Sequence, residues 1–296
     1  MADSSWRVGS FWFPTGEEPE RFDFIPSQAT PSDNTKQPNT PYTRNYESGR
    51  GATTVSIQGK LTKYTEGKAG AFGLEKLEGE CAYNGTEKVI VTQAHDGTLR
   101  RFYAVYGNIR SSVINTQKNL YGYVISFICN NPFKFDDSLT YTGAISVGAT
   151  DTTINLGTNC RGTTDSLPIF IIQNESGSTL SNYQMTVGDG IDSGGGNSIK
   201  IPNAAVDIPN GHQLVCFPYV WDDSFEKGTV LSVYHWKAIT SSGFDVYEGT
   251  KISDYESCIG NVNATYPTIA SDSQEFLAKG SATGAKLIVQ WRKCYG

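Results

Sequence analysis

The chain has 296 residues and a net charge of −6, with 31 Gly, 16 Tyr and 14 Phe but only 2 Met. This length allows two ordinary domains or one large all-β domain, and the composition favours strands and turns over a helical bundle. Residues 1–135 carry 15 Lys and Arg against 13 Asp and Glu (+2), whereas residues 136–296 carry 9 against 17 (−8). This charge distribution has no basic stripe, which argues against a dedicated nucleic-acid binder and against docking on anionic lipid.

The first half predicts a strand-rich sheet with one flanking helix. The helix is expected over 69–81, where apolar residues fall mostly on one side and Glu and Lys on the other. A hairpin turn is predicted at Asp96-Gly97, because Asp-Gly pairs favour tight turns between antiparallel strands. Alternation of apolar and polar residues predicts strands at 10–13, 53–59, 87–94, 98–106, 109–117 and 121–129.

Residues 27–48 separate two of these predicted strands and are rich in Pro, Thr, Ser and Asn. Proline disfavours both helices and central strands, so this stretch predicts a long exposed arm. A loop of this length is uncommon inside a compact domain and often serves a binding partner. We therefore interpret Pro31, Pro38, Pro41 and Tyr42 as part of an interface between copies of the chain.

The strand 121–129 is followed by a proline that ends it, since proline has no N–H for the ladder and restricts the residue before it. After Phe135 the character and the charge of the sequence change. We predict a ring-forming belt domain over 1–135 and an outer β-sandwich domain over 136–296. The hinge between them is predicted at Asn131, Pro132 and Phe133.

The second half predicts a β-sandwich, because short strands are separated by turns rich in Gly or Asn. Strands are indicated at 144–147, 152–156, 169–173, 184–187, 198–201, 213–217, 229–236 and 244–247. Residues 285–292 are expected to form the last strand, ending beside the carboxyl terminus. The stretch 250–276 supports no clear assignment.

No residue pattern predicts catalysis, a cofactor or a metal site. The histidines lie beside turn residues or in a predicted strand, and none are at metal-ligand spacing: His95, His212 and His235. The adjacent acidic residues at 136–137 and 222–223 are expected in solvated turns, because neighbours on a strand face opposite ways. The Gly-rich loop 188–196 carries two carboxylates that could hold calcium, but it lacks EF-hand spacing. No nucleophile elbow or phosphate-binding loop occurs, so we predict that the chain is not an enzyme.

Six cysteines are scattered without a Cys-x-x-Cys pair: Cys81, Cys129, Cys160, Cys216, Cys258 and Cys294. The first residues lack the long apolar core of a secretion signal, so free thiols and folding in a cytoplasm are expected. The longest apolar runs are too short to span a bilayer, which predicts no membrane insertion.

The order of these features resembles the distal tail proteins (Dit) of long-tailed, siphovirus-type bacteriophages. Gly49-Arg50-Gly51 followed by a strand closing at Gly59 is similar to a family turn, and Asn131-Pro132-Phe133 is similar to the Asn/Asp-Pro-aromatic element that ends the first domain. Trp291-Arg292 is similar to the aromatic–Arg pair of the final strand. The resemblance covers about residues 9–221 and the last strand, whereas 222–280 depart from the family pattern.

The resemblance implies a structural virion protein of the tail tip, assembled in the host cytoplasm. It implies a tail-tube-like β-sandwich followed by a galectin- or carbohydrate-module-like β-sandwich. A ring, commonly of six copies, would join the tail tube protein to the tail-tip hub or baseplate, with receptor-binding proteins or host glycans as further partners. The alternative is a carbohydrate-binding β-sandwich module, with Tyr219, Trp221 and Trp236 as a stacking platform for sugars. Formation of a ring would favour the structural tail protein, whereas glycan binding by a monomer would favour the carbohydrate-binding module.

Overall fold

The structure is a computed structural model, and the predicted mainly-β fold is confirmed by its strands. The residues that it describes are 3–25, 53–62, 70–82, 88–94, 96–104, 106–115, 117–129, 133–189, 198–217, 232–236, 250–251 and 267–295. Within them, no helix is both long and apolar enough to cross a membrane.

Among the described residues, the first part of the chain holds nine strands and one helix. They are β1 (Asp3–Val8), β2 (Phe11–Pro14), β3 (Arg21–Ile25), β4 (Thr53–Leu61), α1 (Gly70–Cys81), β5 (Lys88–Gln93), β6 (Leu99–Ala104), β7 (Tyr106–Asn115), β8 (Leu120–Cys129) and β9 (Lys134–Asp136). All the predicted elements of this part are confirmed, with ends shifted by a few residues. The sequence pattern did not reveal β1, β3 and β9.

Twelve further strands follow in the part of the second half that the structure describes. They are β10 (Thr140–Tyr141), β11 (Ile145–Val147), β12 (Thr152–Thr158), β13 (Ile169–Asn174), β14 (Leu180–Gly188), β15 (Ser198–Ile208), β16 (Gln213–Phe217), β17 (Ser232–Trp236), β18 (Thr250–Lys251), β19 (Ser273–Gly280), β20 (Ala285–Trp291) and β21 (Cys294–Tyr295). The predicted strand 285–292 is confirmed as β20, but it is not the last strand, because β21 follows it. The predicted strand 244–247 lies outside the described residues.

The first sandwich packs two sheets face to face. A six-stranded sheet has the order β2-β1-β5-β6-β9-β21, and a four-stranded sheet has the order β3-β4-β8-β7. Aromatic contacts cross between them: the ring centroids of Phe13 and Tyr123 are 5.8 Å apart, and those of Phe22 and Phe102 are 5.6 Å apart. On β8, Tyr123, Ile125, Phe127 and Cys129 are buried, as their alternation predicts.

Helix α1 packs against this core with its apolar side, as its sequence predicts. Leu74, Leu77 and Cys81 are buried in the core cluster, whereas Glu75 is exposed. Burial raises the pKa of the Cys81 thiol to about 12, so this cysteine is an unreactive packing residue. The end of the helix is tied to the sheet by Glu80, which accepts a hydrogen bond of 2.5 Å from Ser10 Oγ.

The backbone of Gly59 leaves space for the Tyr123 side chain, which is 2% exposed. A Cβ atom at position 59 would lie 2.4 Å from Tyr123 Oη and 3.2 Å from Pro19 Cα. Glycine is therefore required here by close packing between β4 and β8.

Gly59→Ala is expected to lower the free energy of unfolding by about 1–3 kcal/mol, because it overpacks a filled core. Gly79→Ala is the control: nothing lies within 4 Å of its added Cβ, and alanine in a helix is favoured over glycine by roughly 0.5–1 kcal/mol. Urea unfolding followed by circular dichroism measures both. Equal stability of the two variants would contradict the close-packing account.

The second sandwich has a seven-stranded and a four-stranded sheet. The first runs β10-β20-β13-β16-β17-β18 with β11 also paired to β20, and the second runs β12-β19-β14-β15. Phe170, Tyr183 and Phe276 lie in the shared core. All six residues of β13 are buried, so this central strand is covered on both faces. Its first four residues form a continuous apolar run for that reason, unlike the alternating strands β4 and β8 of the first sandwich.

Candidate oligomer interface

The four-stranded sheet of the first sandwich has two open edges. Among the described strands, β3 pairs only with β4 and β7 pairs only with β8. The two edge strands lie on opposite sides of the same sheet. An open edge presents backbone N–H and C=O groups that a further strand can pair with.

Strand β7 is long and exposed, which makes it the stronger of the two candidate contacts. It spans ten residues, and the side chains from Arg110 to Ile114 are all exposed. The side chains of Val113 and Ile114 are 58% and 49% exposed, although both are apolar. An irregularity in the pairing with β8 lies between Val113 and Asn115. Two adjacent apolar side chains in solvent at a sheet edge are typical of a surface that another chain covers.

The centre of the outer face of the same sheet is polar, although Val124 of β8 is also exposed on this face. Cross-strand pairs place Ser56 beside Ser126 and Ser126 beside Asn108, with the two serine hydroxyl oxygens 3.5 Å apart. Charged side chains flank this centre, and two ion pairs involve them: Arg21–Asp23 at 2.8 Å and Lys60–Glu20 at 2.9 Å. Short polar side chains at the centre of this face allow it to be hydrated, whereas the inner face is apolar.

The predicted interface residues of the arm, Pro31, Pro38, Pro41 and Tyr42, lie outside the described residues. The points where the arm leaves the sheet are described: β3 ends at Ile25 and β4 begins at Thr53. The segment that holds the arm therefore connects the edge strand β3 to its inner neighbour β4. The assignment of these four residues to an interface remains a prediction.

Of the predicted hinge residues, only Phe133 is described. It is 4% exposed and packs in a small apolar cluster with Val89, Val91, Tyr103, Phe135 and Cys294. Asn131 and Pro132 lie outside the described residues. The domain boundary near residue 135 also remains a prediction, although the structure shows which groups meet there.

Ion pairs flank this cluster. Arg100 pairs with Asp136 and lies 3.3 Å from Asp96, and Arg101 pairs with Asp137 at 2.9 Å. Burial raises the pKa of Asp136 even though the guanidinium of Arg100 acts to lower it. The carboxylates of Asp136 and Asp137 are therefore each paired with an arginine. The prediction that these two residues lie in a solvated turn is wrong.

The predicted glycan platform is only partly described. Tyr219 and Trp221 lie outside the described residues, and Trp236 ends β17 with its backbone paired to Gln213. The loop considered for calcium is described only at its start, where Asp189 accepts a hydrogen bond of 2.8 Å from Gln274 Nε2. The described residues hold no group of three or more His, Cys, Asp or Glu side chains arranged to bind a metal ion. The platform assignment remains a prediction.

The sequence pattern did not reveal two features, one in this sheet and one in the six-stranded sheet. Val113 and Ile114 were expected to lie within a strand, but no pattern marked that strand as an edge. Strand β21 was missed because two residues are too few for alternation to be visible. An adjacent apolar pair just before a turn is the only signal that could have identified the first feature.

These features define a mainly-β chain of two sandwiches with an open-edged sheet. No protein-family model matches it, and no curated protein matches its sequence. Among solved structures, it is similar to the SPP1 Dit (gp 19.1) protein, described as a paradigm of the hub adsorption apparatus in phages that infect Gram-positive bacteria. The TM-score is 0.51, with 10% identity over 95% of each chain. Chains of the phage P2 baseplate in its activated conformation, solved with Ca and with Sr, match with TM-scores of 0.45 and 0.46 at 10% identity, over 91% of this chain and 90% of theirs.

The similarity to the SPP1 protein extends over nearly the whole of both chains. It confirms, at the level of the fold, the resemblance to distal tail proteins that the sequence features indicate.

Proposed function

We propose that this protein is a structural component of a phage tail, a distal tail adaptor whose first sandwich assembles into a closed ring. The observation that carries the proposal is the four-stranded sheet: both of its edges are unpaired among the described strands, and the Pro-rich segment 27–48 follows the edge strand β3 in the sequence. The fold shared with the SPP1 protein supports the assignment to a phage tail.

In the proposed ring, β7 of one copy lies against β3 of the next. A surface that contacts a different surface of its neighbour generates a ring when the rotation closes. The four-stranded sheets would then join into one continuous barrel, with the polar face that includes Ser56, Ser126 and Asn108 turned to one side. Each contact would bury on the order of 1,000 Å² to be stable.

The arm and the charge distribution support the same arrangement. The arm 27–48 is too polar for a core, and it would lie over the neighbouring copy and gain order on assembly. Residues 1–135 carry a net charge of only +2, so copies can pack together without strong repulsion, whereas the −8 of residues 136–296 favours an outward position.

The other parts of the proposal come from the resemblance to distal tail proteins. They are a copy number of six, a position between the tail tube protein and the tail-tip hub or baseplate, and a location in the virion. Receptor-binding proteins or host glycans would contact the second sandwich. The proposed role is structural and needs no catalytic group.

The test is the mass of the full chain in solution, measured by light scattering at micromolar concentration. We expect a multimer, and we expect its association to be weakened by deletion of 27–48 and by Val113→Lys. The lysine would place a charge on the edge strand β7, which the next copy covers in the proposed ring. Tyr141→Lys is the control, because Tyr141 is 64% exposed but lies on β10 of the second sandwich. The full chain is used because β21 completes the sheet of the first sandwich.

A well-folded monomer of the intact chain would overturn the ring. A multimer that is unaffected by Val113→Lys but weakened by Tyr141→Lys would move the interface to the second sandwich. Either result would also remove the main support for the adaptor function.

A further inference from the structure

The carboxyl-terminal residues Lys293, Cys294 and Tyr295 contact both sandwiches. We propose that this segment is a clasp that locks the second sandwich onto the first, so that the two move as one body. The proposal concerns a single copy of the chain and does not depend on ring formation.

The clasp is bonded to the first sandwich through β9. Cys294 pairs with Phe135 and Tyr295 pairs with Lys134 in an antiparallel ladder. The N–H of Asp136 donates a hydrogen bond of 3.0 Å to the carbonyl of Lys293. These bonds place the end of the chain at the edge of the six-stranded sheet, far in sequence from the strands beside it.

A side-chain contact supports this ladder. The guanidinium carbon of Arg100 lies 4.0 Å from the centre of the Tyr295 ring, within the range of a cation–π contact. Arg100 itself belongs to β6, so the clasp is held by two strands of the first sandwich.

The same residues are bonded to the second sandwich. The N–H of Cys294 donates to Ser166 Oγ at 3.0 Å, and the carbonyl of Cys294 accepts from the N–H of Thr164 at 3.1 Å. Ser166 in turn exchanges backbone hydrogen bonds of 3.1 and 2.8 Å with Ile269. Backbone hydrogen bonds from Cys294 to β9 and Thr164, with the Ser166 hydroxyl as a side-chain link towards Ile269, therefore connect the first sheet to the second sandwich.

Packing leaves the clasp little freedom to shift. Cys294 is 3% exposed, and a Cβ atom added to Gly162 would lie 1.9 Å from the carbonyl oxygen of Cys294. A swing of the second sandwich away from the first would uncover Cys294 and break its hydrogen bonds to Ser166 and Thr164.

The clasp adds a second connection beside the first. The chain passes from the first sandwich to the second after β9, and it returns at β21, which lies next to β9 in the sheet. Arg292 Nη1 donates to the carbonyl of Asp136 at 3.2 Å and also to that of Asp137, which links the two crossings. With the clasp closed, bending of the second sandwich about the segment that follows β9 is prevented.

The experiment measures the distance distribution between spin-labelled noncanonical residues at positions 75 and 181 of the full chain. Both positions are exposed, on α1 and β14 respectively, and the labelled protein is diluted into unlabelled protein. We expect a narrow distribution for the wild-type background. Deletion of 293–296 and Gly162→Ala should each broaden it, the first by removing the clasp and the second by displacing Cys294.

Gly143→Ala is the control, since it is the same substitution with nothing within 4 Å of the added Cβ, and it should leave the distribution narrow. Circular dichroism establishes that each variant is folded. If the truncated chain fails to fold, the test rests on Gly162→Ala and on Ser166→Ala. The latter removes the hydroxyl that accepts a hydrogen bond from the N–H of Cys294. A broad distribution in the wild-type background, or a narrow one in folded clasp variants, would overturn the proposal.

Discussion

Trp291→Ala is expected to lower the free energy of unfolding by about 3–5 kcal/mol, the usual cost of truncating a buried tryptophan to alanine. Trp291 ends β20, is 1% exposed and lies in the core cluster of the second sandwich. Its indole N–H also donates a buried hydrogen bond of 2.8 Å to the carbonyl of Cys160. The substitution therefore opens a cavity and leaves that carbonyl without the indole donor.

A second variant separates the two contributions. Trp291→Phe keeps much of the packing and removes the donor, so a loss of about 1–3 kcal/mol is expected. Tyr141→Ala is the control, because Tyr141 pairs with Gln290 of the same β20 but is exposed; its effect should stay within about 0.5 kcal/mol. Urea unfolding followed by circular dichroism measures all three. A loss for Trp291→Ala no larger than that for Tyr141→Ala would contradict the assignment of Trp291 to the core.

Arg100→Met is expected to lower the free energy of unfolding by about 3 kcal/mol at neutral pH. The Arg100 and Asp136 side chains are only 10% and 17% exposed, and removing one partner of a mostly buried pair leaves an uncompensated charge. The expected cost is at the lower end of the range for buried pairs, because some water still reaches Asp136. Arg21→Met is the control, since the side chains of Arg21 and Asp23 are 68% and 42% exposed and their pair is worth less than about 1 kcal/mol.

The cost of Arg100→Met should depend on pH. Burial raises the pKa of Asp136 above its unfolded value, while Arg100 and Lys293 act to lower it. A group with a raised folded pKa contributes stability at low pH that is lost as the pH rises through that pKa. Without Arg100 the pKa of Asp136 rises further, so the loss is greatest at neutral pH and shrinks on acidification. A cost that is the same at acidic and neutral pH would contradict this origin.

Much of the fold follows from short-range pattern. The alternation over 121–129 places Tyr123, Ile125 and Phe127 on one face because successive side chains on a strand point in opposite directions. The hairpin between β5 and β6 follows from the Asp-Gly turn, and its strands pair from Lys88 with Ala104 to Gln93 with Leu99. The long arm was predicted from composition in the same way, but it lies outside the described residues and remains a prediction. These features depend on neighbours within a few residues, so one sequence is sufficient to predict them.

The candidate interface could be predicted only in part. The arm was assigned to it from composition, but that β3 and β7 are the open edges depends on the order of strands in the sheet. The same alternation occurs in β4 and β8 at the centre of that sheet and in β7 at its edge. Long-range packing determines which strands pair with one another. The sequence of a single strand does not indicate its partners.

The sequence alone therefore determined the class of structure, the position of the helix and most strands, and the uneven charge. Tertiary structure determined that β21 returns to the first sheet, that Gly59 accommodates Tyr123, and that Asp136 and Asp137 bind arginines. The physical reason is the distance along the chain. Local pattern reflects backbone geometry and solvent exposure. These contacts instead join residues from about 36 to about 160 positions apart, so they exist only in the packed tertiary structure.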